Sequence, residues 1–508
     1  MTVLSGTALS KIDRSDHRYH TLLDFHRRLA AKDVTLWGSK AQAEAAIGLN
    51  WIDLPESSRD LLPQLDALCA KHRSKTRVIL CAMGGSSLGP EVIAQTYRRE
   101  LFVLDSTDPN YVAHAIDANL TKTLVIVSSK SGSTIETASQ LALFESLLET
   151  AGLVPHDHIV IVTDPDSPLD RDARSKGFSI VNADPHLGGR FSVLSAFGLV
   201  PAALIGVDVS VLLDNASQTK ADFLKDPRMV VDMAYAITYL SGQYISYCDL
   251  GAGMPGLSHW AEQLVAESTG KNETGRLPIV IESPSRDQIF SIAYTGEADL
   301  VISADLASQF IIWEWVTALV AAGLGVNPFN QPNVTEAKEA TSSLLNLWAG
   351  VAPQSSPLVT DASIEIFGQG QDLTSALQLF IESIPADGYV AIMAYLDRYD
   401  DVAITHLRAI LSAKSNRPVT FGWGPRFLHS TGQFHKGGQR NGGFLQITGN
   451  PKRDIAIPGQ RYGFNTLIAA QALGDAQSLL SRKYPLLRLN LIDRSVGIDQ
   501  LLTCLKNL

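Results

Sequence analysis

The chain has 508 residues, enough for more than one domain, and its 45% hydrophobic and 19% charged content is that of a soluble globular protein. Its formal net charge of −10 argues against nucleic acid or an anionic membrane as the main partner. The four cysteines, Cys69, Cys81, Cys248 and Cys504, lack CxxC spacing, so we expect neither a disulfide framework nor a zinc site. A reducing cytoplasmic location fits this pattern best.

The first elements along the chain are predicted to be helical. Residues 1–75 are mostly polar and are expected to form a helical arm that packs over the core. From Arg77 onwards, short apolar runs alternate with helical stretches; the runs are "RVILCAM", "LFVLDS", "TLVIV", "HIVIVTD" and "FSIVNADP". Strands this apolar, separated by helices, indicate a parallel sheet covered on both faces. This first α/β domain is expected to end near residue 190.

A helix-rich connection is predicted to follow, up to about residue 270, and it includes "PRMVVDMAYAITYLSGQYISY". A second alternating region then predicts a second α/β domain with a long polar insertion near 350–372. Its expected strands are "LPIVIES", "ADLVISAD", "GYVAIMAYL", "PVTFGWG", "GGFLQITG" and "LLRLNLID". The apolar run at 310–326 contains Glu314 and is short for a membrane span, so we interpret it as a buried helix.

Two serine-rich turns each join a predicted strand to a predicted helix. "SSKSGSTIETAS" (128–139) offers hydroxyls and a glycine where a helix begins, and "GGSSLGP" (84–90) repeats the arrangement one βα unit earlier. Ligands of parallel sheets bind at the carboxyl ends of strands, and a helix N-terminus there attracts anions. The pair favours a small phosphorylated ligand over simple serine-rich helix caps. The candidate phosphate-binding residues are Gly85, Ser86, Ser129, Lys130, Ser131, Ser133 and Thr134.

Four further segments carry candidate catalytic side chains. They are "LGGRFSVLS" with Arg190, "AEQLVAESTGKNETG" with Glu267, "NPFNQPNVTEAK" with Lys338, and "FLHSTGQFHKGG" with His429 and His435. Taken singly, each has an ordinary structural explanation, such as a surface ion pair, a solvated carboxylate or a loop histidine. Two histidines six residues apart without a nearby third ligand do not predict a metal site.

Together, these six segments resemble the glucose-6-phosphate isomerase (phosphoglucose isomerase) family, from about residue 77 to the end of the chain. "GGSSLGP" is similar to the family's GGSDLGP, with Ser87 where the family usually has Asp. "SSKSGSTIET" resembles the phosphate loop of the wider sugar-isomerase (SIS) superfamily. "GGRFS" matches GGR[FY]S, "ESTGK" resembles ESNGK, and "NPFNQPNVTEAK" resembles NPFDQPGVExxK. The order of the motifs resembles the isomerase portion of bacterial transaldolase/glucose-6-phosphate isomerase fusions.

The resemblance implies a fold, a reaction and a set of roles. The fold class is α/β, with two SIS-type doubly wound domains of mainly parallel sheets flanked by helices, plus the helical arm; the boundaries fall at 1–75, 76–250 and 251–508. The implied reaction is the aldose–ketose isomerisation of glycolysis and gluconeogenesis, with Glu267 as the C1–C2 base, Arg190 beside the enediolate and Lys338 assisting ring opening. A cytoplasmic homodimer without cofactor or metal is expected.

The position of the candidate catalytic histidine along the chain differs from the family pattern. The family's catalytic histidine lies between the ESNGK-like and NPFDQPGVE-like motifs, but no histidine occurs here between Glu267 and Lys338. "LHSTGQF" resembles the LHSLGQY of some bacterial members, which points to His429, with His435 as the runner-up. The alternatives are a non-catalytic SIS-type phosphosugar-binding protein and an isomerase of another sugar phosphate, such as mannose 6-phosphate.

Overall fold

A computed structural model of the chain describes residues 2–116, 119–282, 289–348, 350 and 356–508. The contacts divide the chain into two compact units. Unit 1 comprises Met1–Asp105 and Asn119–Gln331, and unit 2 comprises Ser106–Ala118 and Pro332–Leu508. This division does not coincide with the boundaries expected near 75 and 250, which stay a prediction. Within the polar insertion expected near 350–372, residues 351–355 lie outside the described part of the chain.

The strands of the described residues are short and mostly apolar. They are β1 (Val3–Ser5), β2 (Arg77–Ala82), β3 (Phe102–Leu104), β4 (Thr123–Ser128), β5 (Ile159–Thr163), β6 (Ser179–Asn182), β7 (Tyr244–Cys248), β8 (Leu277–Val280), β9 (Phe290–Ala293), β10 (Leu300–Ser303), β11 (Val359–Asp361), β12 (Ile364–Phe367), β13 (Tyr389–Tyr395), β14 (Val419–Trp423), β15 (Gly442–Gly449) and β16 (Leu486–Leu491).

The α-helices of the described residues alternate with these strands after a helical beginning. They are α1 (His17–Ala30), α2 (Gln42–Gly48), α3 (Leu54–Ser57), α4 (Leu62–His72), α5 (Gly85–Thr96), α6 (Pro109–Ile116), α7 (Ile135–Thr150), α8 (Pro168–Ser175), α9 (Ala196–Leu204), α10 (Val209–Lys225), α11 (Arg228–Tyr235), α12 (Leu257–Thr269), α13 (Leu306–Leu324), α14 (Pro332–Trp348), α15 (Leu373–Ser383), α16 (Leu407–Ser415), α17 (Gly432–Gly437), α18 (Phe464–Ser481) and α19 (Arg494–Asn507).

The first sheet of unit 1 is the one that the sequence predicts. Its strands run in the order β3-β2-β4-β5-β6, and every pairing is parallel. Counted along the chain from β2, this is the doubly wound order 2-1-3-4-5, which reverses between β2 and β4. Ala82 at the end of β2 pairs with Ser128 at the end of β4. The two serine-rich turns therefore start side by side at the point where ligands bind in such sheets.

The second sheet of unit 1 has the order β1-β10-β9-β7-β8, with β1 antiparallel at one edge and the other strands parallel. The segment "YISY" was expected in a helical connection, and this expectation is wrong because it forms β7. The apolar pattern of the preceding helix continues into the strand, and only Gly242, at φ 74, marks the break between them. Strands β1 and β9 of this sheet were also missed, as were β11 and β12, which lie within the insertion expected near 350–372.

Unit 2 contains the third sheet of the described residues, in the order β11-β12-β16-β15-β13-β14. Strands β13 to β16 are parallel neighbours, while β11 and β12 pair in antiparallel fashion. The second alternating region was expected to form one domain. Instead, "LPIVIES" and "ADLVISAD" join a sheet of unit 1, and the other four predicted strands join unit 2. The mixed α/β fold with mostly parallel sheets flanked by helices is confirmed.

Helix α13 is the apolar segment that was interpreted as a buried helix. Among the described residues it is long and apolar enough to cross a membrane, and 94% of its apolar window is buried. Its Phe310, Trp313 and Trp315 are fully buried in the core of unit 1. The helix is apolar on every side because the core of unit 1 surrounds it.

Candidate active site

The phosphate loop between β4 and α7 gathers hydroxyl groups that do not cap its helix. The Ser129 hydroxyl donates to Thr134 Oγ1 at 3.1 Å, and the Ser131 and Ser133 hydroxyls lie 3.0 Å apart. Thr134 occupies the N-cap of α7 without a side-chain capping bond. Ser131 and Ser133 are exposed, whereas Ser129 is buried. This geometry argues against serine-rich capping and leaves the hydroxyls able to receive an anion.

Lys130 of the same loop is engaged by protein groups. Its ammonium pairs with Asp164 and donates to the carbonyl of Pro185 at 3.1 Å. Burial raises the pKa of Asp164, and the neighbouring Lys130 opposes that shift. Lys130 therefore ties the loop to the segments after β5 and β6, and its proposed contact with substrate stays a prediction.

The other phosphate turn packs directly against the Arg190 segment. A side chain at Gly85 would place its Cβ 2.1 Å from the carbonyl oxygen of Gly189 and 3.0 Å from the amide nitrogen of Arg190. Only glycine allows this approach. Ser86, the next residue, is 7% exposed. The turn after β2 and the Arg190 backbone are thereby brought together in unit 1.

Arg190 and Glu267 form a buried ion pair. Arg190 lies in a short 3-10 helix (Gly189–Phe191), and Glu267 lies near the end of α12. Arg190 Nη1 is 2.8 Å from Glu267 Oε1, and their side chains are 3% and 9% exposed. Gln263, one turn earlier on α12, donates to the other carboxylate oxygen at 3.3 Å. Burial lowers the pKa of Arg190, and the Glu267 carboxylate opposes that shift.

The remaining donors of Arg190 hold the loop at residues 327–331. Nη2 donates to the carbonyls of Pro328 and Asn330 at 2.5 and 2.9 Å, and Nη1 donates to the Gln331 side chain at 3.2 Å. Nε donates to Ser268 Oγ at 3.0 Å. The guanidinium thus fixes the carboxylate and this loop at once, and three of the specific motifs meet at a single side chain.

Lys271 is a residue of this site that the sequence analysis missed. It is 3% exposed, and its ammonium donates to the carbonyl of Asn327. Burial and the nearby Arg190 lower the pKa of Lys271 well below its usual value, while Glu267 and Glu44 oppose that shift. The lysine of "ESTGK" was visible in the sequence, but its polar neighbours are typical of an exposed turn and gave no signal of burial.

Lys338, His429 and His435 belong to unit 2. Lys338 is exposed on α14, and His429 is half-buried at the end of a short 3-10 helix (Arg426–His429). His435 on α17 is 3% exposed, and its Nδ1 lies 2.9 Å from the Tyr389 hydroxyl. Burial, with a smaller effect of Lys436, lowers the pKa of His435 to about 3. These contacts fit a core histidine at 435 and leave His429 as the accessible candidate.

The histidine segment is tied to the helix that carries Lys338. The Asn333 amide donates to the Gln433 side chain at 3.0 Å, and the Gln433 amide group donates back to Asn333 Oδ1 at 2.8 Å. Asn333 lies in the first turn of α14, and Gln433 lies in α17. Unit 2 therefore brings together two of the motifs that lie about one hundred residues apart.

One group of three potential metal ligands occurs among the described residues, namely His114, Asp397 and Asp400 in unit 2. His114 Nε2 is 2.9 Å from Asp397 Oδ2, and Asp400 pairs with Lys452 at 2.8 Å. None of these residues was a candidate in the sequence analysis. The expected absence of a metal in the reaction stays a prediction.

Comparisons with known proteins show which sequences and structures the chain resembles. A family model described as phosphoglucose isomerase matches residues 68–251. Glucose-6-phosphate isomerase of Campylobacter jejuni is 27% identical over 281 residues, which cover 52% of this chain and 68% of that protein. Glucose-6-phosphate isomerase of a Cyanothece species is 31% identical over 265 residues, which cover 45% of this chain and 50% of that protein.

Among solved structures, a glucose-6-phosphate isomerase from Chlamydia trachomatis has a TM-score of 0.51 at 18% identity, covering 60% of this chain and 76% of that one. This likeness supports the fold. The chain spans about half to two thirds of the length of the curated relatives it matches. The matched region includes the phosphate turns and the Arg190 motif, so motif resemblance and overall similarity point the same way. The chain is therefore similar to glucose-6-phosphate isomerases in the sequence of residues 68–251 and in fold.

Proposed function

We propose that the protein is an aldose–ketose isomerase that interconverts D-glucose 6-phosphate and D-fructose 6-phosphate. The observation that carries this proposal is the buried pair of Arg190 and Glu267, 2.8 Å apart, in the same unit as the two phosphate turns. Isomerisation needs a base at the C1–C2 bond, positive charge near the oxygens and an anchor for the phosphate. The similarity to the phosphoglucose isomerase family model and to a curated glucose-6-phosphate isomerase supports this reaction.

The phosphate group is the proposed anchor. Hydroxyls of the two turns and the first amides of α5 and α7 offer donors to its oxygens. The proposed ligands are Gly85, Ser86, Ser129, Lys130, Ser131, Ser133 and Thr134. Because the phosphate does not react, its binding energy is available to position C1 and C2 at the base.

Glu267 is the proposed base. Its carboxylate removes the proton from C2 of the open-chain aldose and returns it to C1, while the hydroxyl proton passes from O2 to O1. The intermediate enediolate carries negative charge on oxygen, and the fixed positive charge of Arg190 stabilises it without reorganisation. Oxidation at C2 and reduction at C1 balance within the substrate, so the proposed reaction needs no external oxidant.

Opening of the sugar ring is assigned to the residues of unit 2. Lys338 and His429 are the proposed acid–base groups, and the exposure of His429 favours it over the buried His435. In addition, Nδ1 of His435 is already engaged by the Tyr389 hydroxyl at 2.9 Å. The homodimeric state and the cytoplasmic location implied by the resemblance are part of the same proposal.

The test of this function is the conversion of fructose 6-phosphate to glucose 6-phosphate, with glucose-6-phosphate dehydrogenase as the coupled readout and EDTA present. We expect activity in the wild type and a loss of kcat of about 10²–10⁴-fold in Glu267→Gln, because the base is removed. Binding of a sugar-phosphate analogue should be retained. Glu262→Gln is the matched control, since Glu262 is a buried carboxyl group on the same helix.

Two outcomes would contradict the proposal. A wild type that binds phosphosugars without converting them would make the protein a binding module. An equal loss of binding and turnover in Glu267→Gln would give Glu267 a structural role instead. Mannose 6-phosphate, assayed in parallel, measures whether the C2 epimer is also a substrate.

A further inference from the structure

The parallel part of the unit 2 sheet repeats the strand order of the first sheet. Its four strands run β14-β13-β15-β16, which is 2-1-3-4 when they are counted along the chain. The order reverses between β13 and β15, as it does between β2 and β4 in unit 1. In open parallel sheets of this kind, ligands bind outside the carboxyl ends of the two strands at the reversal.

The carboxyl ends of β13 and β15 lie side by side, because Tyr395 pairs with Thr448. Both strands are followed by charged segments, "LDRYDD" at 396–401 and "NPKR" at 450–453. A cavity of about 720 Å³ opens between these segments and α6, and its size suits a small molecule. The polar residues that line it include Asn110, His114, Asp400, Lys452 and Arg453.

The walls of the cavity are held in place by contacts within unit 2. The backbone amide of Lys452 donates to Asn110 Oδ1 at 2.9 Å, which joins the segment after β15 to α6. His114 pairs with the fully buried Asp397 at 2.9 Å, which joins α6 to the segment after β13. Three elements are therefore fixed around one space, and the site does not depend on a single mobile side chain.

The side chains that line the cavity indicate the chemical class of its ligand. Lys452 and Arg453 offer two exposed cations, and Arg453 makes no ion pair among the described residues. Lys452 is engaged by Asp400 at 2.8 Å, so the Arg453 guanidinium is the cation of the lining that remains available to an anionic ligand. His114, Asn110 and Asp400 supply groups that hydrogen-bond to hydroxyls. We propose that unit 2 binds a small phosphorylated polyol in this cavity, separately from the site in unit 1.

The experiment counts binding sites for 6-phosphogluconate, which has no aldehyde or ketone to isomerise. Equilibrium titration of the full chain should give two sites per wild-type chain. Arg453→Ala should weaken one of them by about 10- to 100-fold, because a charge-assisted hydrogen bond is lost. Arg453→Lys should restore part of that affinity. Lys414→Ala, an exposed cation elsewhere in unit 2, is the matched control and should change neither site.

Ser129→Ala separates this site from the one in unit 1. This variant should lower the affinity of the unit 1 site for 6-phosphogluconate and leave the affinity of the Arg453-dependent site unchanged. A single site that is insensitive to Arg453→Ala and Arg453→Glu would overturn the proposal, even if isomerase activity is found. An Arg453-dependent site in a chain without isomerase activity would support it, while the function proposed for unit 1 would fail.

Discussion

Lys271 is a buried side chain that we expect to support the proposed catalytic pair of Arg190 and Glu267. Its ammonium holds the Asn327 carbonyl, while Arg190 holds the carbonyls of Pro328 and Asn330. Two buried cations therefore fix successive peptide groups of one short loop. A buried donor that loses its partner leaves a polar group unsatisfied, which costs about 1–3 kcal/mol.

Replacing Lys271 with Met should loosen the loop at residues 327–331. Met keeps the length and apolar volume of the side chain but removes the donor and the charge. We expect kcat of the proposed isomerase to fall by up to about 100-fold, because a small displacement of Arg190 misplaces the catalytic pair. Hydrogen exchange of the 327–331 peptide should become faster. Unchanged exchange relative to Lys40→Met, an exposed control, would show that Lys271 does not hold the loop.

Alanine variants of the two candidate histidines of unit 2 should differ in their effects: one should lower the reaction rate and the other the melting temperature. His429→Ala is expected to lower the rate with cyclic glucose 6-phosphate by about 10²-fold, since ring opening loses its acid–base group. His435→Ala should instead lower the melting temperature, because it removes a buried ring that packs on Tyr389 and Phe444. A large rate loss in His435→Ala with unchanged stability would reverse the assignment.

The N-terminal segment packs against the candidate site through aromatic contacts. Trp51, which follows α2, stacks on Phe191 with ring centroids 5.2 Å apart, and Phe191 directly follows Arg190. Trp37 meets Phe329 edge-on at 4.9 Å, and Phe329 lies inside the loop that Arg190 holds. The arm is therefore packed against both segments that carry the Arg190 contacts. These contacts are in keeping with the expectation that residues 1–75 pack over the core, and they add which loops of unit 1 the arm meets.

Truncation of Trp51 should test this role of the arm. Trp51 is fully buried, so Trp51→Ala is expected to destabilise unit 1 by about 3–5 kcal/mol. Trp51→Phe should cost less, since it keeps the aromatic contact and removes an indole N–H that has no hydrogen-bond partner among the described residues. Chemical denaturation measures both. Equal stabilities of the wild type and Trp51→Ala would show that the arm does not contribute to the core.

Buried histidines give the whole molecule an acid-sensitive stability. Burial lowers the pKa of His26 and of His72 to about 4. The folded protein therefore keeps both rings neutral at a pH where the unfolded chain already binds protons, below about 6.5. The contribution of these two neutral histidines to the free energy of unfolding should be fully present above about pH 6.5, and it should be lost as the pH falls towards 4. One such histidine contributes a loss of about 2 kcal/mol by pH 5.

His26→Phe should weaken this pH dependence. The ring of His26 lies 5.5 Å from Trp315 and 6.3 Å from Phe223, so another aromatic ring suits the site. Thermal melts between pH 7 and 5 should show a smaller decrease in melting temperature for the variant than for the wild type. An identical decrease would mean that His26 is not among the groups that take up protons on unfolding.

Local patterns in the sequence predicted much of this protein. The apolar runs that became β2, β4 and β5, the buried nature of α13, and the serine-rich turns at strand ends follow from residue periodicity and turn chemistry. Those signals are local, because burial on both faces of a strand or on every side of a helix leaves its mark within a short window. The roles expected of Arg190, Glu267 and Lys338 came instead from the resemblance of their motifs to those of a known family.

Tertiary structure decided what local patterns do not encode. The sequence alone did not show that the strands of the second alternating region divide between two sheets, nor that β7 follows a helix without a visible change of pattern. It also gave no sign that Arg190, Glu267 and Lys271 converge on the loop at 327–331. Strand pairing and buried polar contacts join residues far apart in the chain, and their energies depend on the neighbours that folding supplies.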